Sequence, residues 1–162
     1  MQLRRLAAPD GLHTSPSLLH SFTPSLLPSF NSYILSLSMP ALLAVALGGA
    51  LGAVARYQLS LWVHARWPSA FPTGTLFVNM LGCLLLGILV GSFDTRMAVS
   101  PTVRLFLGVG LLGAFTTFST FELETLLAFE RGHAGVAVSY VAVSVLVGLA
   151  AVWMGVRLGR LA

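Results

Sequence analysis

The chain has 162 residues, of which 56% are hydrophobic and only 9% are charged. An ordinary soluble domain has about 25% charged residues, so this composition indicates an integral membrane protein. The formal charge of +4 comes from nine basic residues, all arginine, against five acids, and the absence of any basic run argues against nucleic acid as a partner.

Residues 1–39 differ in composition from the rest of the chain. They are rich in serine and proline, and prolines and an aspartate interrupt every apolar run that could act as a signal peptide. We expect a disordered N-terminal extension here and a single membrane domain over residues 40–162. Because Met39 directly precedes the first apolar segment, an alternative hypothesis is that translation begins at Met39.

Four apolar segments follow, and each is long enough to cross a bilayer. About 20 helical residues, rising about 1.5 Å each, match a hydrocarbon core of roughly 30 Å. The pattern predicts an all-α membrane protein with four transmembrane helices, at residues 40–64, 74–93, 102–129 and 135–156. The connecting segments are too short for a further domain.

Four spans place both termini on one side of the membrane. Outside the N-terminal extension, that side has four arginines and the opposite side two (Arg96, Arg104, Arg157 and Arg160 against Arg66 and Arg131). The positive-inside rule therefore favours cytoplasmic termini only modestly, and such a weak bias is compatible with insertion in both orientations.

Small residues recur four positions apart in three of the spans. This spacing predicts close approach of helix backbones, and the pairs are Gly48/Gly52, Gly49/Ala53, Gly87/Gly91 and Gly155/Gly159. Because four spans barely enclose a cavity, we also expect an oligomer.

Two polar side chains lie deep in the first two spans. Arg56 is about sixteen residues into the first, where it either extends toward the interface or forms a buried structural or ion-attracting cation. Asn79 is the strongly polar residue of the second span, and its amide either joins helices by hydrogen bonds or lines a pore.

The third span contains the most unusual stretch, residues 108–124, which read GVGLLGAFTTFSTFELE. Glycine and clustered β-branched threonine weaken a helix, so we predict an interruption between Gly113 and Thr117. Irregular backbone at membrane depth survives only where it is buried in protein or lines a cavity. The stretch therefore predicts an ion or substrate site.

Hydroxyl groups recur at helical spacing around this interruption. Thr116, Thr120 and Glu124 are spaced i, i+4, i+8, and Tyr140 and Ser144 repeat the spacing in the fourth span. Phenylalanines 115, 118 and 121 follow at i+3. Their rings either form core or present positively polarised edges to an anion. Two polar tracks on two helices predict a narrow lined path.

Enzyme motifs fail on their context. The GxGxxG match at residues 108–113 lies inside a membrane span without a preceding strand, and no Ser/His/Asp grouping or metal-ligand spacing of histidines occurs. We therefore predict that the protein is not an enzyme.

Three ordered motifs resemble the bacterial CrcB/Fluc fluoride channel family: GGALGAVARY at 48–57, GTLFVNMLG at 74–82 and GAFTTFSTF at 113–121. The resemblance covers about residues 40–160. It implies a four-span protomer that pairs with an inverted copy into an antiparallel homodimer with two fluoride pores. The expected function is passive export of cytoplasmic fluoride across the inner (plasma) membrane.

The resemblance also implies roles for individual residues. The residues expected along the fluoride pore are Asn79, Phe118, Phe121, Ser119, Thr120, Tyr140 and Ser144. Backbone carbonyls of Gly113 and Thr116 from each copy would hold a structural Na⁺ at the dimer centre. Glu124 would lie near one pore mouth, and Arg56, which matches the family's first-span arginine, would have a structural or vestibule role. The sequence departs from the family at Ala114 and Glu122, which leaves local charge and conduction open.

Two other functions are compatible with the residues alone. One is a proton-coupled small multidrug exporter, also built from an inverted pair of four-span chains, in which Glu124 would have to be the essential carboxylate. The other is a non-transporting subunit of a larger assembly.

Overall fold

The computed structural model describes residues 39–95 and 99–161. Four helices in these ranges are long and apolar enough to span a membrane. The first is α1 (Met39–Arg66), the second is α2 (Thr73–Thr95) and the fourth is α6 (Ala134–Leu161). The predicted spans are confirmed, although α6 continues beyond the predicted end at residue 156. The predicted N-terminal extension lies outside the described residues, so it stays a prediction.

The third span, Pro101–Glu130, consists of several helical pieces. It starts with α3 (Pro101–Arg104), continues as a π-helical segment (Leu105–Leu112) and α4 (Gly113–Phe115), and resumes as α5 (Phe118–Glu130). Thr116 and Thr117 between α4 and α5 are extended, with ψ angles of 158° and 113°. The predicted interruption is confirmed, and it lies at the C-terminal end of the predicted interval.

Glycine pairs bring the helix backbones together. The most extensive packing joins α2 to α6. A Cβ atom at Gly87 would collide with the carbonyl oxygen of Val152, and one at Gly91 with that of Val156. A Cβ atom at Gly155 or Gly159 on α6 would likewise collide with the backbone of α2. Gly48 and Gly52 on α1 likewise contact the backbone of the π-helical segment. The predicted small-residue packing is therefore confirmed at these three pairs.

The remaining pair behaves differently. A Cβ atom at Gly49 would meet nothing within 4 Å, so Gly49/Ala53 is not a packing pair inside the protomer. Many large apolar side chains of all four spans also face outward, such as Leu47, Leu146 and Leu149. Outward apolar surface on membrane-length helices is what lipid requires. The chain is a multi-pass membrane protein.

Candidate functional site at the broken span

Asn79 on α2 forms two hydrogen bonds with the main chain of Thr117 in the interruption. Its side-chain Nδ2 donates to the Thr117 carbonyl at 3.0 Å, and its Oδ1 accepts from the Thr117 N–H at 2.9 Å. A backbone unit that leaves a helix at membrane depth needs both of its polar groups paired. The amide of Asn79 supplies both partners, so Asn79 joins α2 to the third span directly.

The threonines of the interruption supply further hydrogen bonds. The Thr117 side chain caps α5, because its Oγ1 accepts from the Thr120 N–H at 3.4 Å and donates to Thr120 Oγ1 at 2.9 Å. Thr116 Oγ1 donates backward to the Leu112 carbonyl at 3.2 Å. Extended backbone separates Thr116 from α5, so the predicted helical track Thr116–Thr120–Glu124 is wrong at its first member.

Two carbonyl groups next to the interruption lose their helical donors. In a continuous helix, Gly113 and Thr116 would accept from the N–H groups of Thr117 and Thr120. Those N–H groups instead donate to Asn79 Oδ1 and to Thr117 Oγ1. Neutral carbonyl oxygens at the end of an interrupted helix suit a small hard cation such as Na⁺. These carbonyl oxygens therefore fit the predicted sodium position as ligands. Gly113 is also exposed on the protomer surface.

Arg56 on α1 also reaches the interruption. Its Nε donates to the Ala114 carbonyl at 3.1 Å, and the side chain is half-buried. The bond satisfies one of the last carbonyls of α4, which has no helical donor beyond it. Arg56 therefore contacts the interruption within the protomer, and its role toward an ion stays a prediction.

Glu124 on α5 accepts one hydrogen bond on each carboxylate oxygen. The Thr75 hydroxyl donates to Oε1 and the Tyr140 hydroxyl donates to Oε2, both at 2.8 Å. Thr75 and Tyr140 are 5% and 1% exposed, so the three side chains link α2, α5 and α6 inside the protomer. The sequence analysis missed Thr75. Its position one helical turn before Asn79 was the signal that could have identified it.

Two phenylalanine rings pack against the ring of Tyr140. Tyr140 packs edge-on against Phe71 and Phe121, with ring centroids 5.4 and 5.0 Å apart. Phe118 lies 5.7 Å from Phe121, but the first ring is 72% exposed and the second is 7% exposed. Phe115 precedes the interruption, so the predicted stripe of three phenylalanines does not form and only Phe118 and Phe121 are neighbours.

The remaining predicted residues lie close to these groups along the chain. Ser119 is exposed in the first turn of α5, and Thr120 is half-buried behind it. Ser144 is half-buried on α6, one turn after Tyr140. The structure leaves their roles toward an ion as predictions.

A cavity of about 400 Å³ opens beside Glu124 at the end of the protomer where α1 and α5 end and α2 and α6 begin. Its lining includes the carboxylate of Glu124, Thr75, Arg131, His64 and His133. A Schellman motif around Gly132, which has φ 79°, ends α5 and fixes the main chain of Arg131 and His133 at this opening. The hydroxyl and carboxylate cluster therefore adjoins a cavity with both polar and apolar lining residues.

The arrangement brings hydroxyl groups and phenylalanine rings together around the interruption of a membrane span. Hydroxyl groups of threonine, serine and tyrosine donate or accept, and phenylalanine edges carry the positive part of the ring quadrupole. Such groups replace the hydration of a small ion without any covalent step.

Comparison with known proteins identifies the same regions. The family model described as CrcB-like protein, Camphor Resistance (CrcB) matches residues 43–156, which include the interruption and every side chain described above. The chain is also 48% identical over 116 residues to a protein of Acidobacterium capsulatum named Fluoride-specific ion channel FluC, covering 72% of this chain and 93% of that protein.

Two further relatives carry the same name. One from Azotobacter vinelandii is 50% identical over 119 residues, covering 74% of this chain and 96% of the relative. One from Chloroflexus aurantiacus is 48% identical over 119 residues, covering 74% and 94%. The alignment thus extends over nearly the full length of each relative, and the chain belongs to the CrcB family of membrane proteins.

Proposed function

We propose that this protein is a fluoride-selective channel through which cytoplasmic fluoride leaves the cell passively, across the plasma membrane in a bacterium. The observation that carries the proposal is the high identity to relatives named fluoride-specific ion channels, over the stretch that contains the interrupted span. Fluoride enters cells as neutral HF, dissociates at cytoplasmic pH and accumulates as the anion. Export down its own gradient lowers its toxicity and needs no enzyme chemistry.

The path follows the donors on α5 and α6. Fluoride would pass the ring edges of Phe118 and Phe121, with hydroxyl groups of Ser119, Thr120, Tyr140 and Ser144 alongside. Asn79 contributes to this path mainly by fixing the main chain of Thr117, because its side-chain NH₂ group and its side-chain oxygen are both hydrogen-bonded to Thr117. Glu124, held by Thr75 and Tyr140, lines the cavity at the end of this path.

The functional unit is an antiparallel homodimer of two inverted copies. The weak arginine asymmetry is compatible with both orientations. Phe118, whose ring is needed for the path, is 72% exposed on the protomer. Gly113, whose carbonyl is needed for the cation, is also exposed. Both residues are therefore available to a second copy. A covering copy would remove these groups from lipid.

A structural Na⁺ joins the two copies at the interruption. The carbonyls of Gly113 and Thr116 from each copy would hold it, which gives four neutral oxygens. The cation supplies charge that satisfies these carbonyls where helical N–H groups are missing, and it is not transported. Support comes from the diversion of the Thr117 and Thr120 N–H groups to other acceptors.

A liposome efflux measurement tests the proposal. The full chain, reconstituted into vesicles loaded with potassium fluoride, should release fluoride to an external electrode when valinomycin is added, and chloride-loaded vesicles should release little. Equal fluoride and chloride fluxes would contradict the proposal. Family membership supports the fluoride channel over the multidrug exporter, which would instead transport a cationic dye.

A further inference from the structure

Two glutamates on α5, two residues apart, have opposite surroundings. Glu124 is half-buried and accepts hydrogen bonds from Thr75 and Tyr140. Glu122 is exposed on the outer face of the protomer, and within residues 39–95 and 99–161 it has no hydrogen-bond or ion-pair partner. The proposed function described above gives Glu122 no role.

Glu122 lies inside the third span, between its centre and its end. It precedes Glu130, the end of that span, by eight residues, which corresponds to about 12 Å along the helix axis. A carboxylate at the centre of a spanning helix costs about 2.5–3.5 kcal/mol on insertion scales, and ionisable residues inside a span face water or a partner rather than lipid. The carboxylate of Glu122 therefore requires a polar environment.

The same face carries a predicted pore ring. Phe118 and Ser119 precede Glu122 by four and three residues, so all three share one side of α5, and all three are exposed. A second copy over this side would enclose Phe118 and would leave the carboxylate one turn away from the fluoride path.

We propose that Glu122 projects into a water-filled vestibule between the two copies and that its negative charge limits fluoride entry from that vestibule. This inference rests on the proposed function. A unit charge about 10 Å away in water changes the local concentration of an anion about twofold, and more where the dielectric constant is lower. Salt weakens the effect, because the Debye length falls from about 30 Å at 0.01 M to about 3 Å at 1 M.

Accessibility in the membrane tests the vestibule without using transport. In full-length protein carrying Cys83→Ala, Glu122→Cys should react with a membrane-impermeant cationic methanethiosulfonate reagent in liposomes. Leu149→Cys, at a position 67% exposed on α6, is the lipid-facing control and should react at least tenfold more slowly. Equally slow reaction at both positions would overturn the vestibule.

Fluoride efflux tests the effect of the charge. Glu122→Gln should release fluoride about two- to fivefold faster than the wild type at about 0.01 M ionic strength, and the difference should vanish near 1 M. Modifying Glu122→Cys with a cationic reagent should raise the flux, whereas an anionic reagent should restore the slower rate.

The outcomes separate the two proposals. If the wild type conducts fluoride and folded Glu122→Gln is no faster at low salt, this inference is wrong while the channel function stands. If the wild type releases no fluoride, the channel function and the charge effect both fail. Glu130→Gln, an exposed position at the end of the span, is the matched control and should change the flux by less than Glu122→Gln.

Discussion

The side chain of Asn79 supplies the hydrogen-bond partners that the main chain of Thr117 would otherwise have within a continuous helix. Its two hydrogen bonds, 3.0 and 2.9 Å long, pair the carbonyl and the N–H of one extended residue inside a membrane span. The interruption of the third span therefore depends on a residue of the second span.

Replacing Asn79 by aspartate should disrupt the extended main chain at Thr117. Ionised aspartate has the same shape but cannot donate to the Thr117 carbonyl, so two acceptors would face each other. An unsatisfied buried group costs about 1–3 kcal/mol. We expect a lower melting temperature in detergent and loss of fluoride efflux. If Asn79→Asp keeps the wild-type melting temperature and the wild-type fluoride efflux, the amide is not required.

Phe118 and Phe121 should respond differently to replacement by isoleucine. Phe118 is 72% exposed on the protomer and lies in the proposed dimer interface, so Phe118→Ile should abolish fluoride efflux with a smaller fall in melting temperature than Phe121→Ile. Phe121 is 7% exposed, so Phe121→Ile should reduce both. Phe129→Ile, on the same helix at 49% exposure, is the control and should conduct normally. Normal fluoride flux through Phe118→Ile would remove that ring from the path.

Tyr140→Phe should isolate the contribution of one hydroxyl. The phenylalanine ring preserves the packing against Phe71 and Phe121, but Glu124 loses one of its two donors. Because hydrogen bonds to charged groups contribute about 1.5–3 kcal/mol, and about 1.4 kcal/mol corresponds to a factor of ten, we expect fluoride efflux to fall by at least about tenfold. Tyr57→Phe, at a position 62% exposed, should leave the efflux rate unchanged. An unaltered rate in Tyr140→Phe would exclude the hydroxyl from conduction.

Replacing Na⁺ by a large organic cation should destabilise the dimer. If Na⁺ binds the carbonyls of Gly113 and Thr116 in the dimer, a concentration one hundred times its dissociation constant adds about 2.7 kcal/mol of stability. We expect purified protein in N-methyl-D-glucamine buffer to melt at a lower temperature than in sodium buffer of equal ionic strength. Identical melting curves would contradict a structural sodium ion.

Gly87→Ala should separate α2 from α6. A Cβ atom at this position would collide with the Val152 carbonyl, and backbone cannot yield as a flexible side chain can. Overpacking of this kind costs about 1–3 kcal/mol. Gly49→Ala, where a Cβ meets nothing within 4 Å, is the matched control and should retain or raise the melting temperature. Equal melting temperatures for the two variants would argue against close packing at Gly87.

The sequence alone determined the four spans, the interruption and three of the four small-residue contacts. These properties depend on the length of apolar runs, on weak local helix propensity around Thr116 and on small residues at helical spacing, all of which are local along the chain. Glu124 and Tyr140 could also be singled out, because polar side chains are costly within a membrane span.

Only the tertiary structure decided which polar groups meet. Helical spacing predicted that Thr116 and Thr120 share a face, but two extended residues reset the rotation between α4 and α5, so no periodicity carries across them. On α5 itself, Phe118 is exposed, whereas Phe121 is buried because it packs against Tyr140 of α6. The bonds from Asn79 to Thr117 and from Thr75 to Glu124 join residues 38 and 49 positions apart, and only the packing of α2 against the third span fixes such pairs.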